Sequence, residues 1–242
     1  MRMNRRHFIG GTAATLGLTV VGAPAVLGQA KSRVVVIGGG AGGATAAKYI
    51  AKDASGGGKG GAIEVTLVEP TDTYTTCFHS NLYLGGYKTF EEITHTYDKL
   101  KSAYGIIHAK DRAVAIDRDK KQVRLAGGAT LPYDRLIVSP GIDLKYDSVP
   151  GWGQEHEQTM PHAWKAGPQT KLLKARLDAV PDGGVILMLA PPNPYRCPPG
   201  PYERVSMMAH TLKAAGKTKS KIIVLDPKEN FSKQGLFQEG WE

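Results

Sequence analysis

The sequence predicts an α/β protein with two Rossmann-like units, and two observations predict it. A β-branched apolar run at residues 33–37 is followed at once by a glycine turn, a helix-forming stretch and a second apolar run. Residues 185–190, a loop, residues 202–215 and residues 221–226 repeat the same strand, turn, helix and strand order. Alternation of this kind packs as parallel strands covered by helices.

The first unit opens on residues 33–37, turns through Gly38-Gly39-Gly40-Ala41-Gly42-Gly43, and continues into the helical run 44–51. A glycine-rich surface loop at 55–61 leads to the strand 63–69, which ends in Glu69. Residues 113–116 and 122–125, joined by the polar 117–121, read as a hairpin of the sort that caps a nucleotide-binding half. Residues 133–141 lead into another strand and finish in Ser139-Pro140-Gly141. The expected division is a leader over 1–30, a first dinucleotide-binding domain over 31–150, and a second Rossmann-like domain over 151–242, incomplete at its C-terminal side.

The two turns differ in chemistry. Gly38, Gly40 and Gly43 form a GxGxxG pattern, which permits a tight turn, close approach of backbone to a pyrophosphate, and close helix packing, with the helix N-terminus facing the phosphates. Glu69 lies farther along than the usual spacing of about 20 residues, and the loop 55–61 accounts for the excess. Its carboxylate is expected to accept hydrogen bonds from a ribose. The second turn reads Pro191-Pro192-Asn193-Pro194-Tyr195-Arg196-Cys197-Pro198-Pro199-Gly200-Pro201. Proline has no amide hydrogen and its ring keeps a ligand away from the backbone, so this unit is expected to keep the architecture without binding a nicotinamide nucleotide.

Composition narrows the function classes. With 41% hydrophobic and 22% charged residues in 242, the chain is an ordinary globular one; its 30 glycines and 15 prolines follow no repeat. Formal net charge is +9, but the basic residues are scattered rather than striped with aromatics, which argues against nucleic acid and leaves steering of an anionic substrate or an acidic protein partner. Residues 1–30 carry Arg5-Arg6-His7-Phe8, an apolar stretch broken by Pro24, and small residues near Ala30. They read as a twin-arginine export signal, too short and too glycine-rich to span a bilayer. The histidines lack metal-ligand spacing and two cysteines cannot build a zinc site, so no metal is expected. No GxSxG elbow is present.

Two cysteines remain. Cys77, in Tyr74-Thr75-Thr76-Cys77-Phe78-His79-Ser80-Asn81, follows the ribose-binding strand, where the far end of a bound dinucleotide would lie. Cys197 sits in the proline-clamped loop before a helix N-terminus, flanked by Arg196 and Arg204, a setting expected to favour a thiolate. The residue types alone leave other roles open: a buried apolar cysteine, a structural one, or a disulfide between the two.

The segment from Tyr74 to Gly86 and the run Cys197-Pro198-Pro199-Gly200-Pro201-Tyr202-Glu203-Arg204 resemble the flavoprotein subunit of flavocytochrome c sulfide dehydrogenase. That family is related to sulfide:quinone oxidoreductases and to disulfide reductases with two dinucleotide domains. The resemblance covers essentially all of residues 31–242. It implies FAD as cofactor, attached covalently through Cys77, and a redox disulfide of which Cys197 is one half. It further implies hydrosulfide as substrate, a c-type cytochrome subunit as partner, and a periplasmic location. It adds Gly141 to Gly38, Gly40, Gly43 and Glu69 as cofactor-binding. The family's second redox cysteine lies C-terminal to Cys197, and no cysteine follows Cys197 here, so the chain is expected to be shorter than the whole protein. The rival readings are a sulfide:quinone oxidoreductase and a non-catalytic flavin-binding or electron-transfer protein.

Overall fold

A computed structural model describes residues 31–54, 61–162 and 164–242; the export reading of residues 1–30 falls outside them. The first apolar run is strand β1 (Ser32–Ile37), with Val34, Val35 and Val36 all buried. Helix α1 (Ala41–Ala54) follows the glycine turn, and β2 (Ile63–Val68) returns parallel to β1, in register from Ser32 beside Ile63 to Ile37 beside Val68. Consecutive buried residues on one strand mean that both faces are covered, which is why the sequence runs apolar without alternating.

Between β2 and the sheet's next strand lie β3 (Thr73–Thr75), α2 (Ser80–Leu84), β4 (Thr94–Thr96) and α3 (Asp98–Tyr104), with β3 and β4 antiparallel. Strand β5 (Ile107–Ala109) then pairs with β2. The predicted hairpin is β6 (Ala113–Asp117) and β7 (Gln122–Leu125), extended by a third antiparallel strand β8 (Thr130–Pro132). Strand β9 (Arg135–Val138) re-enters beside β1, completing a parallel sheet of order β5-β2-β1-β9. One face carries α1 and α3, through Val34, Val36, Ala47, Leu67 and Tyr97. The other carries the three-stranded sheet, through Val35, Val68, Val123 and Leu125.

The second unit comprises α4 (Pro168–Asp178), β10 (Val185–Leu189), α5 (Gly200–Ala214), β11 (Lys221–Leu225) and α6 (Gln234–Trp241). Strands β10 and β11 are parallel, as predicted. Helix α5 starts two residues earlier than the sequence suggested, because proline fits the first helical turn instead of delaying it. Leu177, Met208 and Leu212 pack on Ile186, Met188 and Ile222, so α4 and α5 cover one face of this pair. Val185, Leu187, Leu189, Ile223 and Leu225 on its other face are exposed.

An ion pair fastens β1 to the approach of β9. Arg33 Nη2 lies 3.1 Å from Asp134 Oδ1, and the Arg33 amide donates to Asp134 Oδ2 at 2.7 Å. These hydrogen bonds hold the Asp134 carboxyl down to about 2. A carboxyl whose folded pKa is depressed stabilises above its unfolded pKa, and the contribution disappears as pH falls through the folded value. Asp134→Asn is therefore expected to lower the denaturation midpoint at pH 6, with the gap to the parent narrowing as pH drops below about 4 toward 2.

Candidate active site

The glycine turn joins β1 to α1 at the C-terminal edge of the sheet. Gly38 has φ +97°, and a Cβ there would lie 2.0 Å from the Ser139 carbonyl oxygen. A Cβ on Gly43 would lie 1.8 Å from the Gly38 carbonyl oxygen, so turn and helix touch backbone to backbone. Gly40 differs. A Cβ there would meet only the Tyr74 ring, at an ordinary 3.6 Å, so the protein's own packing does not demand glycine at that position. The pattern fits a turn whose outer glycines serve the fold and whose middle glycine keeps the mouth of α1 clear for a ligand.

Glu69, just past β2, reaches this mouth. Its Oε2 accepts from the Gly39 amide at 2.8 Å, while Oε1 accepts from the Thr71 amide at 3.1 Å and from the Thr71 hydroxyl at 2.8 Å. Oε2 keeps a further lone pair, which suits the expected ribose contact. Tyr97 donates its hydroxyl to the Gly39 carbonyl at 3.0 Å; burial, reinforced by the charge of Glu69, pushes the phenol up to about 12 and keeps it a donor. The same contact makes glycine necessary at 39, since a Cβ there would lie 2.4 Å from the Tyr97 hydroxyl oxygen. Gly141 has φ +83°, is exposed, and has nothing within 4 Å of its Cβ position. It follows Ser139, whose amide donates to the Ile37 carbonyl at 2.8 Å.

Cys77 lies in the turn between β3 and α2, half-buried, and Tyr74 on β3 links it to the glycine turn. Its thiol donates to the Trp164 carbonyl at 3.0 Å. Burial pushes the Cys77 thiol up, the charge of Cys197 adds to that, and the Arg204 guanidinium opposes it. Cys197 comes to the same neighbourhood from the second unit. It is exposed, has φ +59°, an uncommon conformation for a residue with a Cβ, and its carbonyl accepts from the Gly200 amide at 2.9 Å as α5 begins. Arg204, one turn into α5 and only 5% exposed, donates from Nη2 to the Ser80 hydroxyl at 3.0 Å. Ser80 in turn donates to the Cys77 carbonyl. One buried guanidinium thus ties the two units together and bears on both sulfurs. Both cysteines are free, so the disulfide between them that the residue types left open is not formed.

The second unit's turn is filled by its own side chains. Asp226, just past β11 in the place Glu69 holds after β2, takes hydrogen bonds from Tyr202 and from Lys228, whose Nζ lies 2.6 Å from Oδ1. The same ammonium donates to the Pro191 carbonyl at 2.9 Å and lies 5.0 Å from the centroid of the Tyr195 ring.

The structure therefore brings Gly38, Gly40, Gly43 and Glu69 to one mouth, and Arg204 and Ser80 connect the segments that carry Cys77 and Cys197. Arg196 stays exposed, and of the two arginines flanking Cys197 in sequence only Arg204 is buried in the site. Sequence reasoning missed Trp164, Tyr97 and Ser80, which act through contacts 58 to 124 residues away and carry no local signature. Among the described residues no group of three or more His, Cys, Asp or Glu is placed to hold a metal ion, and no helix is long and apolar enough to cross a membrane.

The profile of the pyridine nucleotide-disulphide oxidoreductase family matches residues 32–178. That of the central region of the flavocytochrome c sulfide dehydrogenase flavoprotein chain matches residues 170–242. The sulfide dehydrogenase flavoprotein chain of Chlorobaculum thiosulfatiphilum is 54% identical over 50 residues, which are 20% of this chain and 90% of that relative. The solved sulfide:quinone oxidoreductase of Aquifex aeolicus is 26% identical, with a TM-score of 0.60 over 80% of this chain and 43% of its own. Plasmodium falciparum NDH2, at 15% identity and a TM-score of 0.64 over 87% of this chain and 46% of its own, shares the fold. The chain spans less than half the length of these solved structures.

Proposed function

Because the chain belongs to the pyridine nucleotide-disulphide oxidoreductase family, on its flavocytochrome c sulfide dehydrogenase flavoprotein side, we propose that it is a flavoprotein that oxidises hydrosulfide and delivers the electrons to a c-type cytochrome subunit. The carrying observation is that buried Arg204, from the helix that follows Cys197, donates to Ser80, whose hydroxyl in turn donates to the Cys77 carbonyl. Export by the twin-arginine route places this chemistry in the periplasm.

FAD is the cofactor the site suits. Gly38, Gly40 and Gly43 with the N-terminus of α1 would hold its pyrophosphate, Glu69 a ribose, and Cys77 would tether it covalently. Bound there, FAD supplies a two-electron acceptor able to release electrons singly. The residues of the chain do the rest. The Trp164 carbonyl orients the Cys77 thiol, and the Arg204 guanidinium opposes the upward push that burial exerts on that thiol. Cys197 is the sulfur at which hydrosulfide is taken up: in a disulfide between Cys197 and the second redox cysteine that the resemblance implies, hydrosulfide bonds to Cys197 as a persulfide and that second cysteine leaves as the thiolate. The second unit serves as a mount for Cys197, since Lys228 and Tyr202 already engage the groups a nicotinamide nucleotide would need.

The test is an absorbance spectrum of the purified protein before and after sulfide, together with a denaturing gel. The expected result is bleaching of the flavin band by sulfide and not by NADH, and a flavin that stays with the denatured chain but washes out of Cys77→Ser. Absence of bleaching by sulfide overturns the reading. The likeness to the Aquifex aeolicus enzyme favours a second reading, with a quinone as acceptor. Reoxidation by a soluble quinone and not by cytochrome c would select it.

A further inference from the structure

We propose that Trp164 is a positioning residue that stands between the two thiols and keeps Cys77 from pairing with Cys197. This rests on the reading of Cys77 as the cofactor tether and adds the device that keeps that sulfur available. Two independent contacts carry it. The backbone end of Trp164 holds Cys77, whose Sγ donates to its carbonyl at 3.0 Å. The far edge of its indole lies at the other sulfur: a Cβ on Gly200 would sit 2.6 Å from Cζ3 and 2.8 Å from Cη2 of that ring, and 3.2 Å from Cys197 Sγ. Cys77 thus rests on the backbone of the residue whose indole edge, together with Cys197 Sγ, occupies the space a side chain at 200 would need.

A disulfide requires sulfur atoms about 2.05 Å apart and Cβ atoms about 3.8 Å apart. An indole edge packed beside Gly200 and Cys197, on the residue whose carbonyl anchors Cys77, stands in the way of that approach. In an oxidising compartment two neighbouring free thiols would otherwise join. Exchange with a small disulfide would do it: the two thiols would give up two protons and two electrons to that oxidant, which leaves as two thiols, and Cys77 would no longer be free to hold the cofactor. Burial of Cys77 acts in the same direction, because it disfavours the attacking thiolate.

The experiment compares the parent, Trp164→Ala, Trp164→Leu, Trp164→Phe and the double variant Trp164→Ala/Cys197→Ser, each purified as the full chain with whatever flavin it holds. Each is treated with diamide, an azodicarboxamide that takes up both electrons and both protons to become the hydrazine. Two readouts are the intact mass after alkylation under non-reducing conditions and the flavin fluorescence of the band on a denaturing gel. In Trp164→Ala the fluorescent band is expected to fall to less than half of the parent's. Its flavin-free fraction should lack the two hydrogens of a disulfide and resist alkylation at both cysteines. Trp164→Phe should behave as the parent, and Cys197→Ser should restore the band. Trp164→Leu, which keeps apolar bulk, substitutes for the alanine variant if that one does not fold. Parent-like mass and fluorescence in both the alanine and leucine variants overturn the proposal. If the parent itself holds no covalent flavin, the tether reading fails, and the disulfide mass after diamide alone decides the role of Trp164.

Discussion

Gly40→Ala is expected to weaken FAD binding by about tenfold or more, a loss of about 1.4 kcal/mol, while leaving the fold intact. A Cβ at this position meets only the Tyr74 ring at 3.6 Å, and its backbone is not left-handed, so the chain accommodates alanine. Stability should hold or rise by about 0.4–1 kcal/mol, since alanine restricts the unfolded chain more than glycine does. Gly43→Ala is the contrasting case. Its Cβ would sit 1.8 Å from the Gly38 carbonyl oxygen, backbone against backbone, with no flexible side chain to move aside. Overpacking of that kind costs about 3 kcal/mol, so this variant should lose flavin and thermal stability together. Fluorescence titration in a Cys77→Ser background, where the flavin can be removed, and calorimetry separate the two effects. A Gly40→Ala protein with parent affinity would show that no pyrophosphate approaches this turn.

Cys197→Ser is expected to reduce sulfide-driven bleaching of the flavin by about a thousandfold or more, the scale on which removing a covalent nucleophile acts. Serine fits the same turn, and the side chain is exposed, so the fold should be unaffected. Its hydroxyl cannot take part in thiol–disulfide exchange. Flavin content should remain at the parent level, because the tether is assigned to the other cysteine. Stopped-flow absorbance at several sulfide concentrations measures the rate. Unchanged bleaching would remove Cys197 from the chemistry while leaving the cofactor site standing.

The parts of this molecule legible in the sequence are those governed by neighbours in the chain. Strands β1 and β2 announce themselves as β-branched runs on either side of a glycine turn, and β10 and β11 do the same around a proline-rich one. Cys197 stands out because prolines and a helix start frame it. What stayed hidden depends on distant partners or on very short elements. Strands β3, β4, β5 and β8 are three residues each, too short for any alternation to show. The demand for glycine at 39 comes from Tyr97, and the burial of Arg204 comes from Ser80 across 124 residues. Trp164 belongs to an irregular stretch whose importance appears only when both sulfurs are located beside it.

The bare face of the second strand pair has a practical side. Val185, Leu187, Leu189, Ile223 and Leu225 form a contiguous greasy surface, with Leu187 62% exposed, on a type of sheet that is nearly always sheathed on both sides. Surfaces of that kind draw molecules together. Handled as 242 residues in water, this polypeptide will tend to clump through β10 and β11, and polar replacements there would ease its purification while leaving the glycine turn and both thiols as they are.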